Sequence, residues 1–258
     1  MKRIFAILLV VAMMLCAAAF AEEENDLAYV QEKGVLVVGI TDFAPMDYKD
    51  ENGEWIGFDA DMAVAFADSL GVEVEFVEID WDNKIMELDN KSIDCVWNGM
   101  TLTDDVQAAM ECSVPYANNA QVVIVKADVA DQYQDIDSVA GLTFAVENGS
   151  AGEEIIDALE FANKTEVATQ ADALMEVAAG TSDAAVIDSL MAAAMVGEGT
   201  GYADLTYTVA LNSEEYGVGF RKGSDLAAAL NDFFAAAAED GLTDAIAETY
   251  GVQAAIIK

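Results

Sequence analysis

From residue 35 onward the chain alternates short apolar runs with longer helical stretches, and this alternation limits it to very few folds. Strands are predicted at 35–40, 72–79, 93–97 and 120–125, with helices at 58–70 and 83–88 between them. The pattern then restarts. A helix start is predicted at 137–140, strands at 142–146, 184–187 and 218–221, and helices at 152–160, 171–179, 189–196, 226–238 and 243–250. Gly71 and Gly180 stand where two of these helices should end. Strands separated by helices form a largely parallel sheet covered on both faces, which is an α/β architecture. Running the pattern twice gives two lobes. The only prolines are Pro45 and Pro115, and no Pro- or Ser-rich linker separates the halves. The chain itself must therefore cross between lobes, near 119–125 and again near 212–220. The expected division is 22–120 with 218–258 for lobe one, closed by the C-terminal helices, and 121–217 for lobe two.

Residues 1–21 read as a signal peptide rather than as fold. Lys2 and Arg3 precede an apolar run, and Ala19-Phe20-Ala21 is a small-x-small cleavage site. Cys16 admits acylation as a cell-surface lipoprotein, but Leu15 before it is larger than a lipobox prefers, so cleavage after Ala21 is the expectation. No later run reaches the roughly 18 apolar residues of a membrane span. An exported, soluble protein follows, periplasmic or extracellular, and expected to be a monomer. Its 54% hydrophobic content can fill a core. The charge is −37, and loss of the signal removes two basic residues and no acidic one, leaving −39. Such a surface excludes nucleic-acid partners, whose phosphates need basic stripes, and it repels anionic membranes. The acids are spread along the chain, which suits a solubilising surface and also a field that draws in cations. There is no histidine, and the two cysteines outside the signal, Cys95 and Cys112, are far apart in sequence, so no transition-metal site or cofactor is expected. Export permits a disulfide between them, but two buried free thiols are the expectation.

One stretch points to a site. Trp97-Asn98-Gly99-Met100-Thr101-Leu102-Thr103 reads as a strand that stops at a glycine and enters a hydroxyl-rich turn, and Ser113-Val114-Pro115-Tyr116 follows. Bare backbone groups beside two threonine hydroxyls can hold a small polar solute without altering it. Trp81 lies in the polar turn Ile79-Asp80-Trp81-Asp82-Asn83, and Phe43 lies in a loop before Ala44-Pro45, where aromatic side chains are available to a ligand as well as to packing. Trp97 fits either core or cleft rim. Asp188 ends an apolar strand before a helix, a position that suits an N-cap and also a ligand at the carboxyl end of a sheet. Asp59 and Asp61 are expected to start and cap the helix beside them.

Several segments, in shared order and spacing, resemble the family 3 extracellular solute-binding proteins, the amino-acid receptors of ABC importers. They are Leu36-Val37-Val38-Gly39-Ile40-Thr41, Phe43-Ala44-Pro45, Gly57-Phe58-Asp59-Ala60-Asp61-Met62, the run from Ile93 to Thr101, Ser113-Val114-Pro115-Tyr116, Ser182 to Asp188, and Glu215 to Gly223. The resemblance covers nearly the whole chain after residue 21. It implies the two-lobe type 2 periplasmic-binding-protein fold, with two crossover strands as a hinge and a ligand held in the cleft. It also implies that Phe43 and Trp81 match the aromatics around the ligand, and that Asn98, Gly99 and Thr101 belong to the polar strand end that meets its ammonium and carboxylate. Asp188 matches the acid for the ammonium, and Glu147 and Ser150 belong to the matching lobe-two loop, 147–151.

One departure stands out. The family places an arginine three residues after the second threonine of the turn, where it grips the ligand carboxylate. Here Thr103 is followed by Asp104, Asp105 and Val106. A backbone donor, Lys84 or another cation takes over, or the ligand has no carboxylate to clamp. If Glu147 and Asp188 both face the cleft, the pocket is anionic with aromatic walls, which favours an amine-bearing ligand, neutral or cationic. The expected function is non-enzymatic capture of a small amino-acid-like solute and its delivery to the membrane subunits of an importer. The alternatives are an exported cyclic-acid dehydratase on the same fold, which would need cations for its substrate, and a sensor domain.

Overall fold

The computed structural model describes residues 25–159 and 163–257; the expected signal peptide and Cys16 lie outside them. The chain runs α1 (Asp26–Lys33), β1 (Val35–Ile40), a hairpin of β2 (Tyr48–Lys49) and β3 (Trp55–Ile56), α2 (Phe58–Leu70) and β4 (Glu73–Glu78). A 3-10 turn at Trp81–Asn83 leads into α3 (Lys84–Asp89), β5 (Cys95–Thr101), α4 (Asp104–Ala109), β6 (Glu111–Cys112) and β7 (Ala117–Asn119). Next come β8 (Gln121–Lys126), β9 (Thr143–Glu147), α5 (Ala151–Ala158), β10 (Asn163–Val167), α6 (Gln170–Ala179), β11 (Ala184–Asp188), α7 (Ser189–Met195) and β12 (Leu205–Ala210). The chain ends with β13 (Glu214–Phe220), α8 (Leu226–Glu239) and α9 (Leu242–Tyr250).

Two sheets form the two lobes. The first has the order β4-β1-β5-β13-β6, with β7 also paired to β13; the second has the order β10-β9-β11-β8-β12. In each, the strands followed by helices are parallel (β1 with β4 and β5, β9 with β10 and β11), while the returning strands β13 and β8 run antiparallel to their neighbours. The polypeptide crosses between sheets at residue 120 and again at 211–213, between β12 and β13. The sequence boundary at 217/218 falls inside β13, whose first residue, Glu214, already pairs with Asn119 of β7.

Apolar faces explain the packing. Trp97 of β5 is fully buried against Phe66 of α2, Tyr116 and Phe234 of α8, so it is core rather than cleft rim. The C-terminal helices thus return to the first sheet. In the second lobe, Val123, Val125, Phe144, Val146, Ala184 and Val186 fill one face of the sheet.

Several expectations need correction. β5 does not stop at Gly99 but continues to Thr101. Gly99 has φ +55°, and its pairing with β13 shifts register nearby, so the glycine bends a continuous strand. Residues 137–140 form turns and no helix. Asp59 caps nothing: it is buried and accepts from the Gly99 N–H at 2.6 Å and the Tyr116 hydroxyl at 2.7 Å. Asp61 accepts from the Tyr250 hydroxyl instead. Cys95 and Cys112 are free thiols, as expected, but only Cys95 is fully buried. Cys95 and Cys112 pair with Phe220 and Gly219 on opposite sides of β13. Two strand spacings, roughly 9–10 Å, exceed the ~7 Å that a disulfide can bridge.

Candidate functional site

A cavity of about 190 Å³ lies between the two sheets. All eight residues singled out from the sequence line it: Phe43, Trp81, Asn98, Gly99, Thr101, Glu147, Ser150 and Asp188. Lobe one contributes the loop after β1, the 3-10 turn and the end of β5. Lobe two contributes the ends of β9 and β11 and the first turn of α5. The lobes touch across the cavity. The Lys84 ammonium of α3 donates to the Gly149 carbonyl of lobe two at 2.9 Å and to the Trp81 carbonyl at 3.2 Å, and it stands 4.9 Å above the Trp81 ring. Gly149 has φ +73°, and a Cβ there would lie 2.9 Å from the Asp82 Cα, so the loop can approach this closely only as glycine.

The polar end of the cavity is acidic. Asp188 is buried at the end of β11 and occupies the N-cap position of α7, but its side chain makes no capping bond. Its carboxylate instead accepts from the side-chain amides of Asn119, Gln121 and Gln170. Burial, with the nearby charge of Glu214, pushes its pKa up to about 8. Glu147, at the end of the neighbouring strand β9, is 4% exposed, and its Oε1 has no hydrogen-bond partner. Burial, then the charge of Asp188, raises it to about 8 as well, while Lys84 acts in the opposite sense. The lysine is itself lowered by burial, against the pull of Glu147, Asp82 and Glu154.

The other predicted residues differ in how free they are. Phe43 and Trp81 present ring surface to the cavity while almost wholly buried. Thr101 donates its hydroxyl to Glu214 at 2.9 Å. Ser150 accepts from the Glu153 N–H as the N-cap of α5. Asn98 is brought to the wall, but its amide is committed to Thr41 and Asp47. The Gly99 N–H points away, to Asp59. Sequence reasoning missed Asn119, Gln121, Gln170 and Glu214. Asn119 and Gln121 each donate to both Asp188 and Glu214, tying the two crossover segments to the acid. The one signal available was Gln121, a polar residue heading the buried run Val122 to Val125.

A family model for bacterial extracellular solute-binding proteins, family 3, matches residues 36–253. The L-cystine-binding protein TcyJ of Escherichia coli (strain K12) is 29% identical over 233 residues, covering 88% of this chain and 86% of that protein. A cyclohexadienyl dehydratase of Pseudomonas aeruginosa is 28% identical over 144 residues, covering 55% of this chain and 54% of the enzyme. Among solved structures, a mutant of ArgBP from T. maritima superposes with a TM-score of 0.82 at 32% identity, covering 87% of this chain and 98% of that one. An ABC uptake transporter substrate-binding protein from Streptococcus pneumoniae with bound histidine gives 0.81 at 27% identity, covering 88% and 96%.

Proposed function

Because the chain belongs to the bacterial extracellular solute-binding proteins of family 3, we propose that it is a receptor that captures a small, amine-bearing, amino-acid-like solute between its lobes. It releases the solute unaltered to the membrane subunits of an ABC importer. It works after export, as a monomer, in the periplasm or outside the cell, with the chain up to residue 119 and from residue 214 on as one jaw and residues 121–210 as the other. The observation that carries this reading is the pair Asp188 and Glu147, two buried carboxyls at adjacent strand ends facing one cavity with aromatic walls. An ammonium entering there meets both acids, and each good aromatic face adds roughly 0.5–2 kcal/mol. The amides of Asn119, Gln121 and Gln170 fix the acceptor before the ligand arrives, so little ordering is left for binding.

An enzymatic reading draws on the dehydratase relative. Holding a cyclic acid calls for cations, and among the described residues lining the cavity the one cation is Lys84, already bonded to two carbonyls. Among the described residues no helix is long and apolar enough to cross a membrane.

Calorimetry and thermal shift against a panel of amino acids and amines test the reading. A binder at 100 times its Kd adds about 2.7 kcal/mol of stability, and the solute should be recovered chemically unchanged. Tight binding of glutamate or aspartate, with none of lysine, arginine or simple amines, would reject it.

A further inference from the structure

We propose that the solute carries two cationic groups and no carboxylate, as a short diamine or an amino-guanidine does, with one end between Asp188 and Glu147 and the other facing Asp105 and Glu154. This rests on the reading of the cavity as an amine receptor and narrows its ligand to one that resembles a cationic amino acid stripped of its carboxylate.

The charges lining the cavity are Asp42, Asp82, Asp105, Glu147, Glu154 and Asp188 against Lys84 alone. An acidic lining by itself specifies nothing. The Glu147 Oε1, buried and without a donor, does point to a ligand, because Glu147 lines the cavity, whereas Asp47 and Asp59, which also leave an oxygen unmet, do not line it.

The opposite end is the place a carboxylate would need, and three features close it to an anion. Val106 presents an apolar side chain there, beside the acids Asp105 and Glu154. The hydroxyl of Thr103 caps α4 by accepting from the Val106 N–H, and it lies 3.4 Å from Glu154 Oε1. The N-terminus of α5, which could attract an anion, is already served by its own chain: Ser150 Oγ takes the Glu153 N–H, and Glu153 Oε2 takes the Gly149 N–H at 2.7 Å. Lys84 does not open this end. Two of its donors go to carbonyls, and Glu147, Asp82 and Glu154 surround its charge.

The two acidic ends are a short distance apart. Thr101 shares Glu214 with Gln121, which in turn bonds Asp188, while Thr103 touches Glu154. The Thr103 N–H donates back to the Thr101 carbonyl at 2.9 Å, a tight turn that keeps the two threonines close enough for a spacer of a few methylenes to span.

The test uses pairs that differ only by the carboxylate: cadaverine with lysine, putrescine with ornithine, and agmatine with arginine, titrated calorimetrically into the protein lacking its signal. In at least one pair the amine is expected to bind ten times or more tighter than its amino acid. Glu154→Lys, at an exposed position, is expected to shift that ratio at least tenfold toward the amino acid. Amino acids binding as tightly as their amines, or a ratio unmoved by Glu154→Lys, overturns the inference. If those amino acids still lose affinity in Asp188→Asn, the amine-receptor reading survives. If no member of any pair binds, both fall.

Discussion

Two pairs of buried carboxyls sit on either side of the cavity wall, alike in burial and opposite in what they face. In lobe one, Asp47 and Asp59 lie behind Asn98 and Gly99. Burial raises both, Asp59 to about 7, and the charge of Asp59 pushes Asp47 up further. Their donors are a backbone N–H and an asparagine amide of β5 and the hydroxyl of Tyr116, in the segment just before β7. In lobe two, Glu147 and Asp188 are shifted by similar causes to about 8, but they open onto the cavity. Their donors are long amide side chains from three different elements. A raised pKa therefore does not by itself mark a binding site. What separates the pairs is access to a hollow: Asp47 and Asp59 each leave an oxygen unmet as Glu147 does, but only Glu147 and Asp188 line the cavity.

Acidity probes both pairs at once and gives the largest expected effect. Each of these carboxyls has a folded-state pKa above its unfolded value, so the native protein holds more protons than the unfolded chain between the two. Stability from these groups is complete below about pH 4, and it is lost as pH rises toward 7 for Asp59 and toward 8 for Glu147 and Asp188. Thermal melts should show the unliganded protein losing stability from pH 5 to 8. A cationic ligand needs the ionised forms, so its affinity should rise over the same range with release of protons, measurable as a heat that depends on buffer ionisation. Saturating ligand should flatten the upper part of the stability curve, contributed by lobe two, and leave the part contributed by Asp59. A curve that ligand leaves unchanged would mean the two pairs do not differ as described.

Substitution should then separate the pairs. Asp188→Asn removes the charge a ligand meets and keeps the shape, so affinity should fall by about 2–5 kcal/mol, with no loss in the melting temperature of the empty protein at pH 8. Asp59→Ala strands the Gly99 N–H and the Tyr116 hydroxyl inside the core. It should cost about 1–3 kcal/mol of stability, read by urea unfolding, and change affinity only slightly. Equal effects of both substitutions on binding would erase the distinction.

The same contrast explains what could be read from the chain alone. The central strands are legible because they hold apolar runs: β11 is buried throughout, and β5 opens on Cys95-Val96-Trp97 before Asn98 and Gly99 interrupt the run. β10 and β12 are absent from the sequence reading because they are sheet edges, half-exposed and mixed with Asn, Lys, Thr and Tyr. The site was legible where residues fall in local motifs, the strand end at Thr101 and the loop from Glu147 to Ser150. It was illegible where topology alone makes the contact. Asn119, Gln121, Gln170 and Glu214 meet Asp188 from positions spread over nearly a hundred residues, and nothing local in an Asn or Gln reveals a partner so distant. Asp59 was misread for the converse reason. At the start of a helix an aspartate looks like a cap, and only the packed β5 beside it gives the carboxylate something better to accept from.

The smallest expected effect sharpens the comparison on the ligand side. Trp81 joins the core cluster of Leu88, Ile93, Val96 and Met100, and it also presents its ring to the cavity, with the Lys84 ammonium already 4.9 Å above the ring. A residue that served only packing would lose stability on truncation and leave affinity alone. A residue whose ring faces a bound cation loses both. Trp81→Phe keeps most of the packing and weakens the ring's pull on a cation, so affinity should drop by a fraction of the roughly 0.5–2 kcal/mol of a full contact, with little change in melting temperature. Calorimetry with an amine and with an uncharged analogue of equal length separates the outcomes. A loss confined to the amine assigns the ring to the ligand's charge, and equal losses assign it to shape alone.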